Sequence, residues 1–241
     1  MNTTKHSLRQ KAEQKSMEMM VSRYVNYIHK DPEANIDSAI DSMRRMEENT
    51  GGAKYLSNFA DWLETNAGSK QWFINLFYRD KEIVKKFFLN FIMNVNMKWL
   101  RHSGEIMEEL GGFSPPYTIL ISPTMRCNLR CTGCYAANYS SKNDLPMDEV
   151  DRIITEGKKL GTFFYTFLGG EPFMKWDDLY PIIRKHDDCL FQMFTNGTLI
   201  NEKVADQIRD LSNIYPVLSV NGWKEETDRT RGKGAFQKIV D

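Results

Sequence analysis

Tyr117-Thr-Ile-Leu-Ile-Ser-Pro-Thr-Met-Arg-Cys127-Asn-Leu-Arg-Cys131-Thr-Gly-Cys134-Tyr135 joins a short apolar run to three cysteines spaced C-x3-C-x2-C. The run 117–122 (YTILIS) is rich in β-formers and reads as a strand. Similar runs follow at 162–168 (TFFYTFL), 190–195 (LFQMFT) and 216–220 (PVLSV). Between them lie helical patterns at 147–160, about 176–185 and about 201–211, and a fourth starts near Gly234. Strand and helix alternating in units of about 30 residues predict right-handed crossovers and a parallel sheet. In such folds ligands sit at the C-terminal ends of the strands. Every unusual motif of this half follows a strand.

Three thiolates on one loop can bind three corners of a metal site, and soft sulfur donors select zinc or an iron–sulfur cluster. A structural zinc site asks for a fourth Cys or His nearby, whereas the next His, His186, lies on a distant predicted helix. Three ligands on a 4Fe–4S cluster leave one iron open. The remaining cysteine, Cys189, falls at the entry of the third strand, away from the motif, and reads as a small buried hydrophobe. His6, His29, His102 and His186 show no paired metal spacing.

Outward from the motif, residues 1–113 read as helical. A first helix over about 7–28 is interrupted at Asp31-Pro32, a second over about 34–48 is broken by Gly51-Gly52, and two or three more follow. The stretch 81–100 is apolar on most sides, with Lys86, Asn90, Asn94 and Lys98 as an i, i+4 polar stripe. It carries too many polar residues for a membrane span and reads as packing core. Gly and Pro punctuation around GGFSPP sets a boundary at residue 113, giving a helical accessory region, 1–113, and an α/β region, 114–241.

The chain has 241 residues, 32 basic and 32 acidic side chains, 41% hydrophobic residues and four cysteines. That is enough to bury a core without disulfides. A formal net charge of zero disfavours nucleic acid as a bulk electrostatic partner. The start, MNTTKHSLRQKAEQKS, lacks the apolar run of a secretory signal, and the cysteines are not spread as a disulfide scaffold would be. Reduced thiols in the cytoplasm are expected.

The cysteine motif after the first strand of a parallel βα fold resembles the radical S-adenosylmethionine (radical SAM) superfamily. The resemblance implies a 4Fe–4S cluster on Cys127, Cys131 and Cys134 whose open iron chelates SAM. It further implies reductive cleavage of SAM to a 5'-deoxyadenosyl radical that abstracts hydrogen from a substrate, with an electron from a flavodoxin- or ferredoxin-type reductant. Gly169-Gly170-Glu171-Pro172 is similar to the family's GGEP motif, implying contacts to the SAM ammonium, and Thr195-Asn196-Gly197 is similar to its TNG turn. Each also reads as an ordinary turn.

Leu218-Ser219-Val220-Asn221-Gly222 resembles the S-x-D-G element, with Ser219 implied near the SAM ribose and Asn221 replacing the acid. Asp228 to Phe236 resembles D-x-x-R-G-x-G-x-F, which implies a carboxylate contact for Arg231; surface pairing with Glu226 or Asp228 is the alternative. Where many relatives have an aromatic before the third Cys, this chain has Gly133, with Tyr135 just after as a candidate adenine contact. The implied fold is a partial (β/α) barrel of which about four of six βα units are visible, as in a fragment of a longer enzyme. The rival function is a cysteine–metal or electron-transfer module without SAM chemistry.

Overall fold

The computed structural model describes residues 2–50, 55–99, 106–109, 111–136, 140, 142 and 144–241. The expected Gly51-Gly52 break and the end of the apolar stretch at Leu100 lie outside them. The chain falls into two compact units, Met1–Leu89 and Asn90–Asp241.

The first unit is all α: α1 (Asn2–Lys30), α2 (Pro32–Thr50), α3 (Tyr55–Thr65), α4 (Ala67–Leu76) and α5 (Lys81–Phe88). Pro32 opens α2, where its missing N–H costs nothing. Asn66 and Asp80 cap α4 and α5 by accepting backbone N–H bonds from Ser69 and from Glu82 and Ile83. Apolar residues at helical spacing, Val21, Val25 and Ile28 on α1 with Ile36 and Ile40 on α2, are buried. An aromatic cluster of Phe73, Phe77 and Phe88 completes this core.

The second unit opens within the π-helical turns Leu89–Lys98, which follow α5 in the chain. Here two members of the expected polar stripe point inward. Asn90 and Asn94 are buried, 3% and 7% exposed, not solvated. The Asn90 amide donates to the carbonyls of Asp187 (3.1 Å) and Cys189 (3.5 Å), and Asn94 donates to the Asn90 side chain (2.9 Å). A helical wheel of 3.6 residues per turn does not anticipate the wider π turns. Amides that satisfy carbonyls at the start of a strand also escape the cost of polar burial.

The sheet comprises β1 (Thr118–Thr124), β2 (Phe164–Gly169), β3 (Leu190–Thr195) and β4 (Ile214–Leu218), all parallel in the order β1-β2-β3-β4. The crossover helices are α6 (Met147–Lys159), α7 (Trp176–Lys185) and α8 (Glu202–Leu211). Two further helices follow β4, α9 (Lys224–Arg231) and α10 (Ala235–Val240). The sequence pattern reads all but α9, whose KEETDRTR has no apolar period; its Lys224–Asp228 pair at i, i+4 supports it instead. β4 starts two residues before the expected run and passes through Pro216, which the sheet accepts because β4 lies at its edge.

Ile121, Tyr165, Phe167, Phe191, Met193 and the helix residues Val150, Ile154, Leu179 and Ile183 form one buried core. Cys189 is fully buried among them at the N-terminal end of β3, as the sequence implied. His186 is buried against Asp151, its Nε2 2.8 Å from the carboxylate. Among the described residues no helix is long and apolar enough to cross a membrane.

Gly157 of α6 lies against the Tyr165 hydroxyl, itself held near the Ile154 and Thr162 carbonyls at 2.9 and 2.8 Å; a Cβ at Gly157 would collide with that oxygen. Alanine in a helix interior is favoured over glycine by about 1 kcal/mol, but overpacking costs about 1–3 kcal/mol. Gly157→Ala is therefore expected to lower stability in urea unfolding. The Gly157→Ala/Tyr165→Phe double variant is expected to recover part of the loss of Gly157→Ala when each is compared with its parent. Additive effects would contradict the contact.

Candidate active site

The upper end of the sheet is tied together by its backbone. Gly170 N–H donates to Thr124 O (3.0 Å), Glu171 N–H to Arg126 O (2.8 Å) and Ser219 N–H to Thr195 O (2.9 Å). The approach of β2 to the cysteine loop is so close that a Cβ at Gly170 would collide with Arg126 O. Gly169 has φ 116°, and its Cβ would lie 2.5 Å from Thr124 O. The two glycines are thus required by this packing.

The loop is fixed at its root by side chains as well. The Thr124 hydroxyl donates to Asp144 and accepts the Arg126 N–H (3.0 Å), while Arg126 pairs with Asp144 at 3.1 Å. Beyond Cys127, the Arg130 guanidinium donates to the carbonyls of Cys127 (2.7 Å) and Leu129 (2.8 Å). At its far side Thr132 N–H donates to Thr230 O (2.8 Å), joining the loop to α9.

Glu171 is 0% exposed. One carboxylate oxygen accepts from Phe173 N–H (3.0 Å) and the Thr195 hydroxyl (2.8 Å), the other from Asn196 N–H (2.8 Å). Burial pushes its pKa up, and these donors oppose the shift. Its carboxylate therefore links the GGEP loop to the end of β3. Asn196 extends this link: its side-chain N–H groups reach Asn128 Oδ1 (2.8 Å) and Cys127 Sγ (3.8 Å).

Cys127, Cys131 and Cys134 are free thiols, each partly buried. Among the described residues no three His, Cys, Asp or Glu side chains are gathered as a single-ion cage. Burial pushes the Cys127 thiol up, and the Leu129 N–H, 3.4 Å from its sulfur, opposes that shift. Arg126 Nε is buried without a hydrogen-bond partner. Three thiols on one loop, one already receiving N–H donors, fit an anionic iron–sulfur cluster.

Arg231 is not engaged by Glu226 or Asp228. Asp228 pairs with Lys224 (2.7 Å) and accepts Phe236 N–H (2.9 Å), which together lower its pKa to about 2. Instead Arg231 Nε donates to Asn221 Oδ1 (2.7 Å), leaving the two terminal nitrogens of the fork. Asn221, the position where an acid was expected, thus orients Arg231 without neutralising it. A cavity of about 240 Å³ opens beside the cysteine loop, lined by Asn128, Leu129, Thr198, Arg231, Lys233 and Lys238 among others. Tyr135 is 78% exposed, its hydroxyl 3.2 Å from Gly169 O. Asn128, Asp144 and Thr198 join the site by pairing through space, and nothing in their sequence spacing marks them.

A family model described as the radical SAM superfamily matches residues 121–241. The chain belongs to the radical SAM superfamily. Members of this superfamily bind a 4Fe–4S cluster and SAM. The chain is 35% identical over 122 residues to Fe-coproporphyrin III synthase of Methanosarcina barkeri, covering 48% of this chain and 30% of that one. It is 31% identical over 99 residues to a probable GTP 3',8-cyclase of Halobacterium salinarum, covering 37% and 28%. Among solved structures it is similar to Streptococcus suis SuiB bound to S-adenosylmethionine, with 24% identity, a TM-score of 0.48 and 57% and 33% of the two chains covered. The radical SAM chain thus spans about a third or less of the length of these proteins.

Glu171→Gln tests the buried link. However the new amide is turned, its NH2 faces a backbone N–H that Glu171 accepts, so a donor meets a donor. An unsatisfied buried donor costs about 1–3 kcal/mol. A fall in stability of that size is expected in urea unfolding, and an unchanged midpoint would remove Glu171 as the tie between β2 and β3.

Proposed function

We propose that this chain is the SAM-binding part of a radical SAM enzyme, holding a 4Fe–4S cluster on Cys127, Cys131 and Cys134 and cleaving SAM reductively for hydrogen abstraction from an organic substrate. The observation that carries the reading is the set of three partly buried thiols on one loop whose root is clamped by Gly170, Glu171, Thr124 and Asp144. With a cluster and SAM bound, the chemistry supplied is one-electron cleavage of a sulfonium to methionine and a 5'-deoxyadenosyl radical.

The chain's own residues do the holding. Three thiolates leave one cluster corner for a substrate ligand. The backbone of Gly169 and Gly170, fixed against β1, presents the edge of the GGEP loop to the SAM ammonium. Both Glu171 oxygens are already engaged by protein donors, so Glu171 acts on that ammonium by its negative charge and by shaping the loop. The free end of the Arg231 fork pairs with the SAM carboxylate. Ser219, held by its N–H to β3, faces the ribose, and exposed Tyr135 offers its ring to the adenine. The electron comes from a flavodoxin- or ferredoxin-type protein, and the thiols stay reduced in the cytoplasm.

Anaerobic reconstitution with iron and sulfide is expected to give about four irons and four sulfides per chain. After dithionite reduction, SAM is expected to change the cluster's EPR signal and to yield 5'-deoxyadenosine. Cys131→Ala is expected to abolish cluster binding, and Cys189→Ala to leave it intact. A chain that takes up only zinc, or a cluster indifferent to SAM, is the rival electron-transfer or structural module.

A further inference from the structure

Three side chains beside Cys127 close a ring of hydrogen bonds whose directions are fixed. Asn196 Oδ1 accepts the backbone N–H of Thr198 at 2.9 Å, a group that can only donate. That bond decides which end of the Asn196 amide is the oxygen, since the reversed amide would place NH2 against N–H. Thr198 Oγ1 donates to the same oxygen (2.7 Å), so the hydroxyl is free to accept, and Asn128 Nδ2 donates to it (2.8 Å). That fixes Asn128 in turn, whose Oδ1 accepts from Asn196 Nδ2 (2.8 Å). One Asn196 N–H is spent on this ring. The other is left for the Cys127 sulfur, 3.8 Å away.

We infer that Asn128 and Thr198 are positioning residues that aim the Asn196 amide at the Cys127 sulfur and thereby raise the reduction potential of the cluster held there. The inference rests on the cluster reading above. An N–H dipole directed at a cysteine sulfur stabilises the extra negative charge of the reduced state, and hydrogen bonds to sulfur are among the levers that set cluster potentials. Asn196 is buried, so water does not compete for the donor. Glu171, whose negative charge acts on Cys127, works in the opposite direction. Among the described residues the sulfurs of Cys131 and Cys134 accept no such bond, which makes Cys127 the corner where the protein sets the charge. A ring in which every donor and acceptor is matched holds the amide more firmly than one contact would.

The full chain, reconstituted anaerobically, supplies the test: iron content, the cluster midpoint potential from an EPR-monitored redox titration without SAM, and the Fe–S(Cys) stretching bands by resonance Raman. Thr198→Val keeps shape but deletes the hydroxyl; Asn128→Leu deletes the other ring member at an exposed position; Thr198→Ser restores the hydroxyl. Thr198→Val and Asn128→Leu are expected to carry full iron, with midpoints shifted to more negative potential and altered Fe–S(Cys) bands, and Thr198→Ser to match the parent. Full clusters at the parent's potential in both variants would overturn the inference and leave the cluster reading intact. Loss of the cluster in both would also overturn it, by making the ring a brace for the loop. A parent chain that binds no cluster would overturn the underlying reading instead.

Discussion

One buried residue, Glu171, holds three strand ends together through its carboxylate and its backbone N–H. Glu171 receives the Asn196 N–H and the Thr195 hydroxyl from the end of β3, while its own N–H grips the carbonyl of Arg126 in the loop that follows β1. Removing a carboxylate from water is costly unless donors replace the water. Here the donors come from the segments that the site needs in place, so the cost of burial is offset only when those segments are assembled. The same arrangement dictates the glycines: with Glu171 N–H bonded to Arg126 O, the Gly170 backbone lies where no Cβ fits.

That constraint also shapes the electrostatics. Glu171 and Cys131 both push the Cys127 thiol upward, in addition to the effect of burial. Three thiolates beside a buried carboxylate are unfavourable until positive charge arrives, which couples occupation by iron to deprotonation. Arg126 and Arg130 stand at the loop but are tethered, Arg126 to Asp144 and Arg130 to backbone carbonyls. Arg231 is held by a neutral partner, Asn221, which does not offset its positive charge. An aspartate there would hold Arg231 as firmly but would compete with an incoming carboxylate.

Much of the α/β region was legible because its signals are local. Apolar β-rich runs and 3.6-residue periods give β2, β3, α6, α7 and α8 nearly to the residue, and the three cysteines announce themselves by spacing. What was illegible depends on contacts between distant segments. Asn128 and Thr198 are unremarkable in sequence and become a ring only because the loops that follow β1 and β3 meet across the end of β2. Asp144 lies in a loop with no motif, yet accepts from Thr124 and Arg126. Asn90 and Asn94 read only as part of a polar stripe, because their partners lie far along the chain at the start of β3. α9 was missed because a charged helix stabilised by Lys224–Asp228 leaves no apolar period to read.

SAM cleavage at this site needs a cluster with three protein thiolates and one corner free for SAM. Electron–nuclear double resonance on the reduced cluster, with SAM carrying 15N in its amino group and 17O in its carboxylate, measures that corner directly. Hyperfine couplings to both labels, strong enough for atoms bonded to iron, are expected in the parent chain. A fully loaded, reduced cluster that shows neither coupling would mean the fourth corner is closed, and would contradict SAM cleavage at this site.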